Sequence, residues 1–467
     1  MSDELPQGWV WAKMLDVLDY EGGSQPPKKD FVYEPRDGYV RLIQIRDFGD
    51  KPFPTYVPDS RRLKKVNKDD LLLARYGGSS ANDSLGRICT GLEGAYNVAL
   101  AKIIFDRKHM DKNYVRYLFM GPWFREKVSQ NSRSCQTGFN REDVEDIEFP
   151  IAPSAEQRRI AAKLEKVFGQ VDACQQRLEK LPTLLKRFRQ SVLAAACSGR
   201  LTADWREENP TEDAAKLIES VKPARPAKFR DASVRSDLDL AELPESWVWT
   251  NLRFLISPAE AFCYGVVQPG ENNTDGVFLV RAGDLVAGRV DTSTLRRIPR
   301  SIHDDYRRSQ LLGGEILVTV VGAGIGETAI AQPECAGFNI ARAVAKLPIR
   351  EFEARYVHLW LSTSCAQNWM KGDSREVARP TLNLEQLQTL PVPIPPHAEQ
   401  KQIVRRVEGL FALADQLELR LAQARGQVAK LTPALLARVF AGQLVPQNPA
   451  DEPAEKLLQR IGKARKP

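Results

Sequence analysis

Two long stretches of this chain repeat apolar residues every third and fourth position. In the first they fall at Ile160, Leu164, Val167, Val171, Cys174, Leu178, Leu181, Leu185, Phe188, Val192 and Ala195. A 4-3-4-3 spacing places all of them on one helical stripe, the seam of a coiled coil. The second stretch keeps the register with Ile403, Val407, Leu410, Ala414, Leu417, Leu421, Ala424, Val428, Leu431 and Leu435, and Arg438 is its exception. Two matched stripes in one chain predict two helices that pair with each other. Because a whole domain intervenes, they can run antiparallel, and about 35 steps at ~1.5 Å make a spacer of about 50 Å. Pro182 and Pro433 fall inside the stripes at non-equivalent places and predict a kink or break in each.

The stripes belong to a larger duplication. Leu5-Pro6-Gln7-Gly8-Trp9-Val10-Trp11 recurs as Leu243-Pro244-Glu245-Ser246-Trp247-Val248-Trp249. Pro150-Ile151 leading to Ala155-Glu156-Gln157 recurs as Pro393-Ile394 leading to Ala398-Glu399-Gln400. Between these anchors the halves share a loose plan of strand-like runs, Val40 to Ile45 against Val277 to Val280 and Leu71 to Ala74 against Ile316 to Val321, followed by Asn97-Val98-Ala99 against Asn339-Ile340-Ala341. Both helical stretches end on a glycine suited to a helix C-cap, Gly199 and Gly442. The Pro-, Lys- and Arg-bearing segment between about 221 and 241 has no period and reads as an exposed linker with a solvated basic run. The chain therefore divides into a domain at 1–150, a helical spacer at 151–220, the linker at 221–241, a second domain at 242–392 and a second helical spacer at 393–467. One plan with divergent detail suggests one scaffold reading two different things.

Length and composition agree with this division. At 467 residues the chain exceeds what one core usually holds, and 43% hydrophobic with 27% charged residues is the balance of a globular protein. No apolar run approaches a membrane span, and the acidic start Met-Ser-Asp-Glu lacks the form of an export signal, so a cytoplasmic protein is expected. Seven scattered cysteines without Cys-x-x-Cys, and histidines only at 109, 303, 358 and 397, suggest neither a disulfide frame nor a metal centre. A net charge of +7 permits a polyanionic partner.

One string looks enzymatic, Gly322-Ala323-Gly324-Ile325-Gly326-Glu327 after a strand-like run. Its spacing is not Gly-x-Gly-x-x-Gly, and Glu327 sits where a third glycine would let helix and strand approach, so it reads as a Gly-rich polar loop. Residues suited to phosphates and base edges cluster on predicted loops in both halves. In the first half they are Gln44, Arg46, Arg75, Tyr76, Asn82, Arg133, Gln136 and Asn140; in the second they are Arg281, Thr319, Gly322, Arg375, Arg379, Thr381 and Asn383.

The Leu-Pro-x-x-Trp openings, the Pro-rich lead into Ala-Glu-Gln, the stretch Leu184-Leu185-Lys186-Arg187-Phe188-Arg189-Gln190-Ser191-Val192-Leu193 and the Gly-x-Leu helix ends resemble the DNA-specificity subunit of type I restriction-modification systems. The resemblance covers essentially the whole chain. It implies an α+β fold in which two α/β target-recognition domains, related as a pseudo-twofold repeat, are separated by two long antiparallel coiled-coil helices. It also implies a non-catalytic protein that reads a bipartite, asymmetric site in double-stranded DNA, one domain to each half-site.

The partners implied are two methyltransferase subunits docked on the helices and a restriction and translocation subunit. S-adenosylmethionine, ATP and magnesium would be bound by those partners and none by this chain. Independently, the sequence carries no Asn-Pro-Pro-Phe or Asp-Pro-Pro-Tyr type motif and no phosphate-binding loop. Two other readings compete: a DNA-binding or scaffold subunit of a related defence or modification complex, the scaffold using its domains to bind proteins, and the recognition part of a single-chain restriction-modification enzyme.

Overall fold

The computed structural model describes residues 5–49, 53–76, 85–131, 138–210, 213–236, 238–372 and 381–465. It divides into two compact units, residues 1–179 with 422–467, and residues 180–421. No helix among the described residues is long and apolar enough to cross a membrane.

In the first unit, Val10–Lys13 pairs antiparallel with Glu148–Ile151 at the base of the domain. Above it, one four-stranded sheet runs in the order Leu18–Gly22, Leu100–Phe105, Leu72–Ala74, Ile88–Cys89. A second sheet places Tyr39–Ile43 parallel to Gly94–Tyr96. The second unit repeats the plan. Val248–Asn251 pairs with Pro391–Ile394, and Cys263–Tyr264, Val344–Leu347 and Ile316–Thr319 are successive neighbours in a sheet. Val277–Val280 runs parallel to Asn339–Ile340.

These pairings correct one correspondence. Asn97 bridges Ser24 in the same parallel arrangement in which Ala341 bridges Val266, so Asn97-Val98-Ala99 matches Ala341-Arg342-Ala343 and not Asn339-Ile340-Ala341. Strand register overrides the match of letters.

The recurring motifs turn out to be partners. Trp9 Nε1 donates to Glu156 Oε2 at 3.0 Å, and Trp247 Nε1 to Glu399 Oε2 at 2.8 Å. Gln157 Nε2 donates to the Ala152 carbonyl at 2.8 Å and Gln400 Nε2 to the Pro395 carbonyl at 2.9 Å, closing each hinge. Tyr114 and Tyr356 each donate 2.7 Å hydrogen bonds to the Pro150 and Pro393 carbonyls. All these side chains are buried, and burial pushes both tyrosine phenols well above their ordinary pKa. A buried polar group costs stability unless it is bonded, so each motif needs the other present.

Both long helices are single elements, Ser154–Cys197 and His397–Phe440, with Pro182 and Pro433 inside them. The predicted break at each proline is therefore corrected. In the first unit Ile160 and Leu164 share a core with Leu436, Val439 and Phe440, and Arg425 meets the Leu178 carbonyl at 3.0 Å. Rising numbers on one helix meet falling numbers on the other, so the segments are antiparallel.

The second unit shows the same direction. Arg189 bonds Asp415 at 2.8 Å, while Leu201, further on, accepts from Arg406 at 2.7 Å. The seam also departs from the strict stripe. Ile160, Leu164, Val171, Ile403, Val407 and Leu421 are buried; Val167, Leu178, Leu185, Leu410 and Leu435 are half-buried; Leu417 is 43% exposed. An α-helix drifts about 20° per heptad from a 3.5-residue repeat. A long stripe therefore rotates out of a two-helix contact, and Leu193, Leu436 and Val439 enter it instead.

The segment expected to be an exposed linker is partly built into the second unit. Arg225 is 2% exposed, donates to the Ile256 carbonyl at 2.6 Å and stacks 4.8 Å over the Phe254 ring. Asn251 Nδ2 donates to the carbonyls of Asp231 and Ser233, strapping the segment down further along.

Candidate nucleic-acid interface

Strand ends converge at one edge of each domain on the same backbone frame. In the first unit Arg75 N donates to the Ala99 carbonyl at 2.8 Å, Phe139 N donates to the Arg75 carbonyl at 3.1 Å, and Tyr76 bridges Gly138. In the second, Val320 N donates to Ala343 at 2.9 Å, Leu382 N to Val320 at 2.8 Å, and Val321 bridges Thr381. The main chain is thus held alike while the side chains differ.

In the first unit this frame brings Arg75, Tyr76 and Asn140 together. The Arg75 guanidinium lies 5.7 Å from the ring centres of both Tyr20 and Tyr76 and donates to the Phe139 carbonyl and Asn140 Oδ1 at 3.4 and 3.3 Å. Gln44 and Arg46 form another cluster. Both donate to the buried Thr55 hydroxyl, at 3.2 and 2.6 Å, and Arg46 stacks 4.9 Å over Phe53. Asn82, Arg133 and Gln136 lie outside the described residues.

In the second unit Gly322 opens the turn that joins Ile316–Thr319 to the antiparallel strand Thr328–Ile330. Its φ of +99° requires glycine there. A strand–turn–strand has no helix N-terminus to receive a phosphate, which removes the dinucleotide reading of the Gly-rich string. Thr381 and Asn383 are exposed beside this turn, although Asn383 Oδ1 also accepts from Gln386 N at 2.7 Å as a helix cap.

Two candidates are placed differently from expectation. Thr319 is fully buried, so its side chain cannot meet a ligand at the edge. Arg281 holds Asp284 through Nε and Nη2 at 3.1 and 2.9 Å, and this pairing raises its pKa. It braces the turn after its strand, where Gln44 N donates to Asp47 in the first unit at 2.8 Å. Arg375 and Arg379 lie outside the described residues. Among the described residues no cluster of three His, Cys, Asp or Glu could hold a metal.

Comparison with known proteins bears directly on this arrangement. A family model described as the type I restriction modification DNA specificity domain matches residues 291–423. The chain is 34% identical over 468 residues to the type I restriction enzyme EcoBI specificity subunit of Escherichia coli, spanning 97% of this chain and 91% of that one. The chain belongs to the type I restriction enzyme specificity subunits. A second relative, the EcoKI specificity subunit of Escherichia coli strain K12, is 27% identical over 494 residues, covering 98% of this chain and 96% of its own.

Solved structures share the fold. The HsdS subunit from Thermoanaerobacter tengcongensis aligns with a TM-score of 0.51 at 17% identity, over 95% of this chain and 99% of that one. A chain from a study of complex assembly and conformational transition of the type I R-M system aligns at 0.62 and 16% identity, over 94% and 99%. As a specificity subunit the chain is a non-catalytic member of its enzyme. Its frame residues, the Trp–Glu pairs, escaped detection as partners although both motifs were visible. Arg342, exposed on the same edge, was not among the residues singled out from the sequence.

Proposed function

We propose that this specificity subunit reads a bipartite, asymmetric site in double-stranded DNA, one domain to each half-site. The observation that carries the reading is the shared edge, where one backbone frame presents Arg75, Tyr76 and Asn140 in one unit and Gly322, Thr381 and Asn383 in the other. Two different half-sites call for common positioning and different side chains. The paired helices set the unread spacer between half-sites, and their outward faces dock two methyltransferase subunits. Apolar residues left exposed there, Leu184, Leu413 and Leu419 in the second unit, support such docking.

Restriction and translocation subunits complete the complex and work with it in the cytoplasm. S-adenosylmethionine, ATP and magnesium are bound by those partners. Fluorescence anisotropy with methyltransferase-saturated protein tests the reading. Sequence-dependent affinity that falls with salt is expected; equal affinity for unrelated duplexes would overturn it.

A further inference from the structure

The turn between Asn339–Ile340 and Val344–Leu347 in the second unit holds three residues, Ala341, Arg342 and Ala343. Its backbone is tied on every side. Ala341 N donates to the Val280 carbonyl at 2.8 Å, Arg342 N to Val266 at 2.9 Å, Val344 N to Ala341 at 2.9 Å, and Ala343 accepts from Val320 N at 2.9 Å. Four hydrogen bonds to three neighbouring segments and across the turn itself leave the Arg342 Cα little freedom.

The side chain is treated in the opposite way. Arg342 is exposed, and among the described residues its guanidinium has no hydrogen bond, ion pair or ring contact. Three other arginines of this domain are engaged: Arg281 with Asp284, Arg296 with the Gly270 carbonyl, and Arg297 with the Phe278 ring and the Gly276 carbonyl. Arg289 and Arg300, uncommitted like Arg342 among the described residues, stand on a strand and a helix and not on this turn. Small residues flank Arg342 on both sides in the chain, and the next strand end beside it carries Val321 and Gly322. A rigid backbone with an uncommitted planar donor fork is the arrangement that base recognition favours.

Register gives the position a counterpart. Val98 occupies the matching place in the first unit, between Asn97 and Ala99, and it too points outward, 40% exposed. Three of the four backbone bonds recur under Val98: Asn97 N donates to the Ile43 carbonyl at 3.0 Å, Leu100 N to Asn97 at 3.0 Å, and Ala99 accepts from Arg75 N at 2.8 Å.

We propose that this position determines specificity in both domains, with Arg342 donating two hydrogen bonds to the O6 and N7 acceptors on the major-groove edge of a guanine in the second half-site. Val98 has no donor and selects against guanine at the matching place of the first half-site, where an apolar contact suits a thymine methyl. The assignment rests on the reading of these edges as DNA-facing and deepens it to a residue and a base.

The test is selection of preferred sites from a random duplex pool by the methyltransferase-saturated complex, comparing the wild type with Arg342→Ala, Arg342→Lys and Val98→Arg. Arg342→Ala should lower the preference for guanine at one second-half position by about 10- to 100-fold, the discrimination of one bidentate contact. Every first-half position should stay as it was. Arg342→Lys should not restore that preference, because an ammonium lacks the fork. Val98→Arg should change one base of the first half-site only. Thermal unfolding should be unmoved in all three, which separates lost reading from lost folding. Uniform weakening on all duplexes with rescue by Arg342→Lys would make Arg342 a phosphate contact and overturn the assignment. So would an unchanged second half-site in Arg342→Ala, or an unchanged first half-site in Val98→Arg. A wild-type complex that selects no sequence would overturn the underlying reading and this assignment together.

Discussion

The Arg425 guanidinium donates at 3.0 Å to the carbonyl of Leu178 on the facing helix. Leu178 lies four residues before Pro182, so its carbonyl is the one that proline, lacking an N–H, leaves without a helical donor. Arg425 supplies that missing hydrogen bond from outside, and the helix continues through the proline. Arg425→Ala should therefore cost about 1 kcal/mol in the wild type. In a Pro182→Ala background, where the helix provides its own donor, the cost should fall near zero. A double-mutant cycle by urea unfolding measures the difference, and equal costs in both backgrounds would break the link between the two residues.

Glycines in this chain should respond in opposite directions to one methyl group. Gly442 has φ +70°, and a Cβ there would run into the Pro6 ring; Gly199 has φ +76° and meets Pro244 in the same way. Each helix end is thus pressed against the proline of a Leu-Pro-x-x-Trp motif. Gly442→Ala and Gly199→Ala should each destabilise by at least about 1–2 kcal/mol, from the left-handed backbone alone. Gly426, inside the second long helix with open space around it, should gain about 0.5–1 kcal/mol as alanine. Chemical denaturation of the three variants checks the signs.

The helices were legible because an apolar stripe is a local signal that survives without knowledge of its partner. The effect of Pro182 was not, since the donor that tolerates it, Arg425, lies 247 residues from the Leu178 carbonyl it serves. Arg225 failed for the same reason: a Pro- and Lys-rich surrounding says linker, while the Phe254 ring and the Ile256 carbonyl that bury it are invisible in sequence. The strand runs Val277–Val280 and Leu72–Ala74 were found close to their true bounds. Residue-by-residue alignment between halves went astray at Asn339, where chance identity outweighed register. At the edge itself, donor chemistry singled out Arg75 and Asn140 but also Thr319, because side-chain type carries no signal of which face of a strand is buried.

Acid should weaken the second unit through one histidine. His358 Nε2 is buried with no hydrogen-bond partner, and burial lowers its pKa from the ordinary 6.5. Below that value the unfolded chain takes up a proton that the folded chain resists. The unfolded state then binds more protons, and stability falls as pH drops, by no more than about 1.4 kcal/mol per unit. His358→Gln should flatten this part of the profile between pH 7 and 5.5. Urea midpoints across that range give the comparison, and parallel slopes would exclude His358 as the source.

The helix Ala454–Arg465 should decide whether the first unit folds. Its Ala454, Leu457 and Ile461 are buried in the core that holds Trp9, Met14 and Tyr114, and Ala454 N donates to the Gly8 carbonyl at 2.9 Å. Just before it, Asp451 pairs with Arg159 at 2.5 Å. The helix Ala214–Val221 plays the same part in the second unit, where Ala214 N donates to Ser246 at 2.9 Å. Burying one leucine and one isoleucine stabilises by roughly 1.5–3 kcal/mol each, so losing both removes about 3–6 kcal/mol from a domain whose total is on the order of 5–15. Deleting residues 449–467 should leave amides of 112–120 exchanging rapidly with solvent deuterium while those of 354–361 keep their protection. Leu457→Asp with Ile461→Asp should do the same at full length, which separates lost packing from lost chain. Equal protection of the two segments in both variants would mean that this helix decorates the unit and does not complete it.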